Sequence, residues 1–193
     1  MIELVYPLDP APLIGPEADA SEIVPVVDEN GLVIGRASRD YCHSGAETAQ
    51  NGAILHPVVH LQIVDRYSRF YLQHRSPNKE TFPNRWDVAV GGHVAYGEYY
   101  QEALFREAGE ELGLYDFNPQ YLDNYIADQP DDREMVGLYV TVGSFDLNPD
   151  NYEVSEGRYW TIEEIEASLG KDIFTPEFEN EYKEYKDKIL ALL

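Results

Sequence analysis

Residues 91–114 read GGHVAYGEYYQEALFREAGEELGL, and within them Glu107, Glu110 and Glu111 stand three and four positions apart beside Arg106. At 100° per residue, a helix gathers those three carboxylates into an arc of about 100°. Like charges at these spacings repel by roughly a few tenths of a kcal/mol per pair. Hard divalent cations such as Mg²⁺ take carboxylate oxygens together with substrate phosphates and waters. A cluster that costs stability when empty and gains it when a cation arrives is the chemistry this spacing can support. A solvated acidic face is the ordinary meaning of an acid run, but these acids repel one another and lie one helix length beyond a Gly-Gly turn.

Elements must hold that helix in place. The segments 23–28 and 32–38 flank Glu29-Asn30-Gly31 and read as a hairpin with an Asn-Gly turn. Residues 56–65 alternate as a strand and 69–75 pair back on it, while 39–55 carry no clear pattern. The proline-bearing 76–85 is a loop, 86–94 a strand running into glycines, and 99–112 a helix stopped by Gly113. Phe105, Ala108 and Leu112 are expected on its buried face. Strands are expected near 120–127, 133–145 and 158–160, then a short helix boxed by Thr161 and Glu164. The last helix starts at Thr175 with Pro176 in its first position. Its stripe of Phe178, Tyr182, Tyr185, Ile189 and Leu192 is a core face, with a homodimer seam as the alternative reading. The order of elements predicts an α+β fold, an α/β/α sandwich of mixed sheet flanked by helices. Residues 1–22 read as an irregular lead-in and 23–193 as a single domain, the hairpin being part of it or an annexe.

The run from Gly92 resembles the Nudix box: Gly, five residues, Glu, seven residues, Arg-Glu, an apolar residue, any residue, Glu-Glu, any residue, Gly, an apolar residue. Gly92, Glu98, Arg106, Glu107, Ala108, Glu110, Glu111, Gly113 and Leu114 occupy those positions, with Ala108 smaller than the usual aliphatic. The resemblance implies that Glu110 and Glu111 are the main ligands of Mg²⁺ or Mn²⁺, and that Glu107 is a third ligand or the base that activates water. It implies that Glu98 completes the ligand set, that Arg106 ion-pairs with a box glutamate, and that Gly91 and Gly92 let the backbone approach the metal. The activity it implies is hydrolysis of a phosphoanhydride in a nucleoside diphosphate-linked small molecule, where cations neutralise the diphosphate and activate water.

Over residues 23–165 the chain looks like the branch that contains isopentenyl-diphosphate isomerases and their bacterial hydrolase relatives. That likeness implies diphosphate contacts for Arg75 and Lys79, which could equally be solvated loop cations, and it matches His93 and His56 to metal ligands of the isomerases. Imidazole suits Zn²⁺ and Mn²⁺ better than Mg²⁺, and a hydrogen-bonded strand histidine is the ordinary alternative. Where the isomerases place a catalytic cysteine, this chain has Gly91, and its single cysteine, Cys42, is about fifty residues upstream. Hydrolysis is therefore favoured over isomerisation, which needs an acid and a base across an allylic system. A binding module that has lost its chemistry is a third reading, opposed by the intact acids. Glu153 and Glu156 are candidates for a further ligand or base, or a solvated turn. Tyr96, Tyr99, Tyr100, Tyr159 and Trp160 could stack on a base, although fifteen tyrosines make such clusters common.

Composition narrows the class further. With 36 acidic residues against 14 Lys and Arg, a net charge of −22 repels nucleic-acid backbones and anionic membranes. A cation can still bridge the chain to a small anionic substrate. One cysteine forms no internal disulfide, and no signal-like or membrane-spanning run is present, which together predict a cytoplasmic protein.

Overall fold

The turn at Asp28–Leu32 shows how the sequence builds its first element. Asp28 Oδ1 accepts from the Asn30 and Leu32 amides, both at 2.9 Å, and Gly31 takes φ +83°. A side chain at Gly31 would also lie 2.7 Å from the Glu3 carbonyl oxygen, so both conformation and space require glycine there. The computed structural model describes residues 1–17, 22–45, 47–48, 52–79, 81–129, 132–150 and 152–193. Its elements are β1 (Ile23–Val27), β2 (Val33–Ser38), α1 (Arg39–Cys42), β3 (Glu47–Thr48), β4 (Gly52–Ala53), β5 (Leu55–Val64), β6 (Phe70–Arg75), β7 (Trp86–Asp87) and β8 (Val90–His93). They continue with α2 (Tyr100–Leu112), β9 (Gln120–Gln129), β10 (Asp132–Val142), β11 (Val154–Trp160), α3 (Ile162–Ser168) and α4 (Pro176–Leu190). The large sheet runs β11-β6-β5-β10-β9, with β7 on β6 and β8 on β5, a mixed sheet flanked by helices in the α+β class.

Two compact units are distinguished. The first comprises Met1–Val59, Gly92–Leu104 and Asp123–Leu138. Its hairpin β1–β2 buries Val24, Val26 and Ala37 with Cys42 and Ile54, and Ile14 and Tyr41 pack on this cluster. The lead-in is irregular but anchored. Val5 bridges Leu32, Leu13 bridges Arg36, and Leu4 and Ala11 are buried.

The second unit comprises His60–Gly91, Phe105–Leu122 and Tyr139–Leu193. Thr161 and Glu164 close their capping box on α3, and Thr175 caps α4 with Pro176 in its first turn, as expected. The α4 stripe packs as core: Phe178 lies 5.0 Å from Phe174 and Tyr182 lies 5.5 Å from Phe70, ring centre to ring centre. Leu192 falls beyond the helix and is exposed, and Glu181 is buried in the stripe instead. Strand β11 begins at Val154, earlier than the expected 158, because Asp150 Oδ1 accepts from the Tyr152, Glu153 and Val154 amides and starts the strand there.

Helix α2 is rotated from the expected face. Leu104, Ala108, Glu111 and Leu112 are buried, and Phe105 is 39% exposed, its ring tilted against that of Phe117 with centres 4.6 Å apart. The positions i, i+4, i+7 and i+8 form one stripe, and Phe105 falls outside it. The helix stops at Gly113, φ +62°, whose amide donates to the Gly109 carbonyl while that of Leu114 donates to Ala108.

Candidate active site

The rotation of α2 turns Glu111 inward. The residue is only 4% exposed, and Oε2 accepts from the Gly91 amide at 3.3 Å and from Gln73 Nε2 at 3.2 Å. Burial pushes this acid up to about 8; the neighbouring Glu107 raises it further, Lys79 opposes, Glu153 adds to the rise, and the Gly91 amide opposes. Arg106 bridges the other two box acids, Nη1 lying 2.7 Å from Glu107 and 3.2 Å from Glu110. The repulsion expected from the three acids is thus partly neutralised in the folded helix. Glu110 is the outermost of the three, its side chain 62% exposed.

The loop cations meet protein partners. Arg75 reaches Asp87 at 3.0 Å and the Thr81 carbonyl at 2.8 Å, which fixes the loop between β6 and β7. Lys79 pairs with Glu153, whose backbone carbonyl accepts from the Ser76 amide at the other end of the same loop. Glu153 is therefore drawn toward Lys79 and Glu111, whereas Glu156 is exposed.

In the first unit, Glu98 Oε2 accepts from the Ala95 amide at 3.0 Å, in the turn before α2. A second set of donors lies here. Ligand atoms of His43, His56, His93 and Glu134 all fall within 4.8 Å of one another. His43 Nε2 lies 2.8 Å from His93 Nε2, and its Nδ1 lies 3.1 Å from Asp132. Burial opposes protonation of His43, and the Asp132 bond and charges raise it above the ordinary imidazole value. Burial pulls His56 down to about 4, despite Asp132. His56 Nε2 and Asp132 Oδ1 are buried without a hydrogen-bond partner and stand 3.8 Å apart, a separation that an ion bound to both can span. Cys42 is fully buried, and burial followed by the Asp132 charge pushes its thiol up to about 12. That burial removes it as the proton donor an isomerase needs.

The tyrosines set aside for stacking have other duties. Tyr96 and Tyr99 pack edge-on against Tyr6, Tyr100 is buried, and Trp160 sits between Trp86 and Phe174. Two further residues escaped the sequence reading. His60 Nδ1 lies 2.5 Å from Glu181 Oε1, and both are buried. The signal was available in β5, buried along its whole length, where His56, His60 and Gln62 interrupt an apolar strand at even spacing.

Comparison with known proteins fits this geometry. The family model described as "NUDIX domain" matches residues 55–178. A curated Nudix hydrolase of Streptomyces coelicolor is 30% identical over 162 residues, covering 83% of this chain and 86% of its own. The chain belongs to the Nudix family. It is an enzyme of the Nudix hydrolase type. An isopentenyl-diphosphate Delta-isomerase of Mycolicibacterium vanbaalenii is 33% identical over 99 residues, 51% of each chain. A Deinococcus radiodurans protein of known crystal structure shares the fold, with TM-score 0.68 and 24% identity over 87% of this chain and 99% of its own. Among the described residues, no helix is long and apolar enough to cross a membrane.

Proposed function

We propose that this Nudix hydrolase cleaves a phosphoanhydride bond in a diphosphate-linked small molecule with Mg²⁺ or Mn²⁺. Glu107, Glu110 and Glu111 would hold the cation, with Glu98 and the Gly91 backbone completing the set. The observation that carries the reading is Glu111: an acid on the inner face of α2, 4% exposed and beside a second acid, which burial and then Glu107 push up to about 8. Such a donor set fits a divalent ion, because positive charge relieves both the burial cost and the repulsion from Glu107. When bound, the cation supplies Lewis acidity toward the diphosphate and toward water.

The chain's own residues do the rest. The Gly91 amide and Gln73 fix the Glu111 carboxylate, and Arg106 fixes the rotamer of Glu107. Glu107 or Glu153 takes the proton of the attacking water. Lys79 exchanges its pairing with Glu153 for a phosphate oxygen, which releases the Glu153 carboxylate toward the attacking water. Arg75, fixed by Asp87 and Thr81, presents charge to the same anion. We take residues 23–193 as one catalytic domain, working in the cytoplasm. The test is phosphate or monophosphate release from a panel of dinucleotide cofactors, nucleotide sugars, nucleoside triphosphates, CoA and prenyl diphosphates with Mg²⁺ and Mn²⁺. No release from any of them would refute the reading.

The His43, His56, His93 and Glu134 cluster favours a second reading, an isomerase-like enzyme using an imidazole-bound ion. Gly91 and the buried Cys42 oppose it, since neither can deliver a proton to a carbon chain. Deuterium entering isopentenyl diphosphate in deuterated water would establish it.

A further inference from the structure

Tyr6 stands in the irregular lead-in, directly after Val5. The Val5 amide donates to the Gly31 carbonyl at 3.0 Å, and the Val5 carbonyl accepts from the Val33 amide at 2.8 Å. The β1–β2 hairpin therefore fixes the backbone just before the tyrosine, and buried Leu4 and Ala11 hold the segment on either side of it. The phenol hydroxyl reaches away from these anchors. It accepts from the Gly97 amide at 3.2 Å and donates to the Glu98 carbonyl at 2.9 Å.

The turn it grips has little else to steady it. The Glu98 amide donates to the Ala95 carbonyl at 2.9 Å, Glu98 Oε2 accepts from the Ala95 amide at 3.0 Å, and Gly97 takes φ +95° within the turn. Apart from its chain neighbours, nothing among the described residues lies within 4 Å of a Cβ built at Gly97. Glycine also has more backbone freedom to lose than any other residue. The Tyr6 hydroxyl ties the two peptide groups that flank this Gly97–Glu98 pair, and its ring packs edge-on against Tyr96 at 5.5 Å and Tyr99 at 5.8 Å. Phenylalanine would supply the ring contacts equally well, so only the hydroxyl serves the turn. Burial pushes the phenol up to about 12 against the opposing Gly97 bond, so it keeps the proton it donates to Glu98.

We propose that Tyr6 is a positioning residue for the divalent cation: by tying the peptides on both sides of Glu98, it holds that carboxylate ready for the ion. Resting on the diphosphate hydrolase reading, in which Glu98 completes the ligand set, this role extends the working part of the chain to residues ahead of the matched 55–178. Removing an outer hydrogen bond that orients a ligand typically weakens metal binding by about 10- to 100-fold. A hydroxyl that only stabilised the turn would change the stability of the metal-free protein and leave its affinity for the cation alone.

The test is Mg²⁺ titration of the full chain followed by thermal melting, in the parent, Tyr6→Phe, Glu98→Gln and the double variant. Ionic strength is held constant, because screening alone stabilises so acidic a chain. Mg²⁺ favours oxygen over imidazole, so the cluster of His43, His56, His93 and Glu134 does not compete for it. The metal-free melting temperature of each variant measures any purely structural effect. Tyr6→Phe should raise the Mg²⁺ dissociation constant by about tenfold. Added to Glu98→Gln, which weakens binding itself, it should change that constant by less than about twofold, since its effect passes through Glu98. A constant unmoved by Tyr6→Phe or by Glu98→Gln, or a Tyr6→Phe effect of equal size in both backgrounds, would overturn this role while leaving the hydrolase reading intact. A parent melt that Mg²⁺ does not raise would overturn both.

Discussion

Glu111→Gln in metal-free protein isolates the cost of placing a charge on the inner face of α2. Glutamine keeps the shape and an acceptor for the Gly91 amide, and it removes the charge that burial and Glu107 oppose. In the parent, the folded-state value of about 8 lies above the ordinary 4.5. The stabilising contribution of a raised acid is complete below its unfolded value and is lost as pH rises through the folded one. The window is therefore pH 4.5 to 8. At about 1.4 kcal/mol per pH unit, the loss across it is on the order of 5 kcal/mol. General repulsion in so acidic a chain acts on parent and variant alike, so the difference between them is the readout. Urea unfolding in EDTA at pH 5, 7 and 8.5 should show the two proteins converging at low pH and the variant more stable by several kcal/mol at pH 8.5. Mn²⁺ at about 100 times its dissociation constant should return about 2.7 kcal/mol to the parent, and much less to the variant. Parallel pH profiles for the two proteins would refute the assignment of a strained, cation-seeking acid at this position.

Other outcomes follow from the same geometry. Lys79→Ala should raise KM for the best diphosphate substrate more than it lowers kcat, and an unchanged KM would leave Lys79 as the partner of Glu153 alone. Arg106→Ala frees Glu107 and Glu110 from their shared cation and should lower kcat/KM by about tenfold or more, with little change in folding measured by circular dichroism. Co²⁺ added to the protein should give visible absorption from the cluster of His43, His56, His93 and Glu134, and His56→Ala should abolish it. A spectrum unaffected by that substitution would place the ion elsewhere.

The local signals were legible in the sequence because they act through neighbours. The Asn-Gly turn, the Thr161 capping box, the Thr175-Pro176 start of α4 and the glycine stop of α2 each depend on a few adjacent residues, and each stands where its pattern placed it. The box acids were legible as a set but not in their orientation. Ala108 and Leu112 fit either of two neighbouring faces of α2, and only packing decides that Glu111 and not Phe105 turns inward. His60 and Glu181 were missed for a related reason. Their bond joins residues 121 positions apart, and neither periodicity nor spacing reports such a pair. A histidine in a strand buried on both faces nevertheless requires a polar partner, and that requirement could have been read from β5.

In the proposed reaction, water attacks phosphorus at the acids of α2. Turnover of the best diphosphate substrate in oxygen-18 water, followed by mass spectrometry of the products in the parent and in Glu111→Gln, tests it most directly. One labelled oxygen is expected in one phosphate-bearing product, dependent on Mg²⁺ or Mn²⁺, with the rate falling by about a hundredfold or more in the variant. Products without label, or label incorporated at the parent's rate in Glu111→Gln, would contradict it.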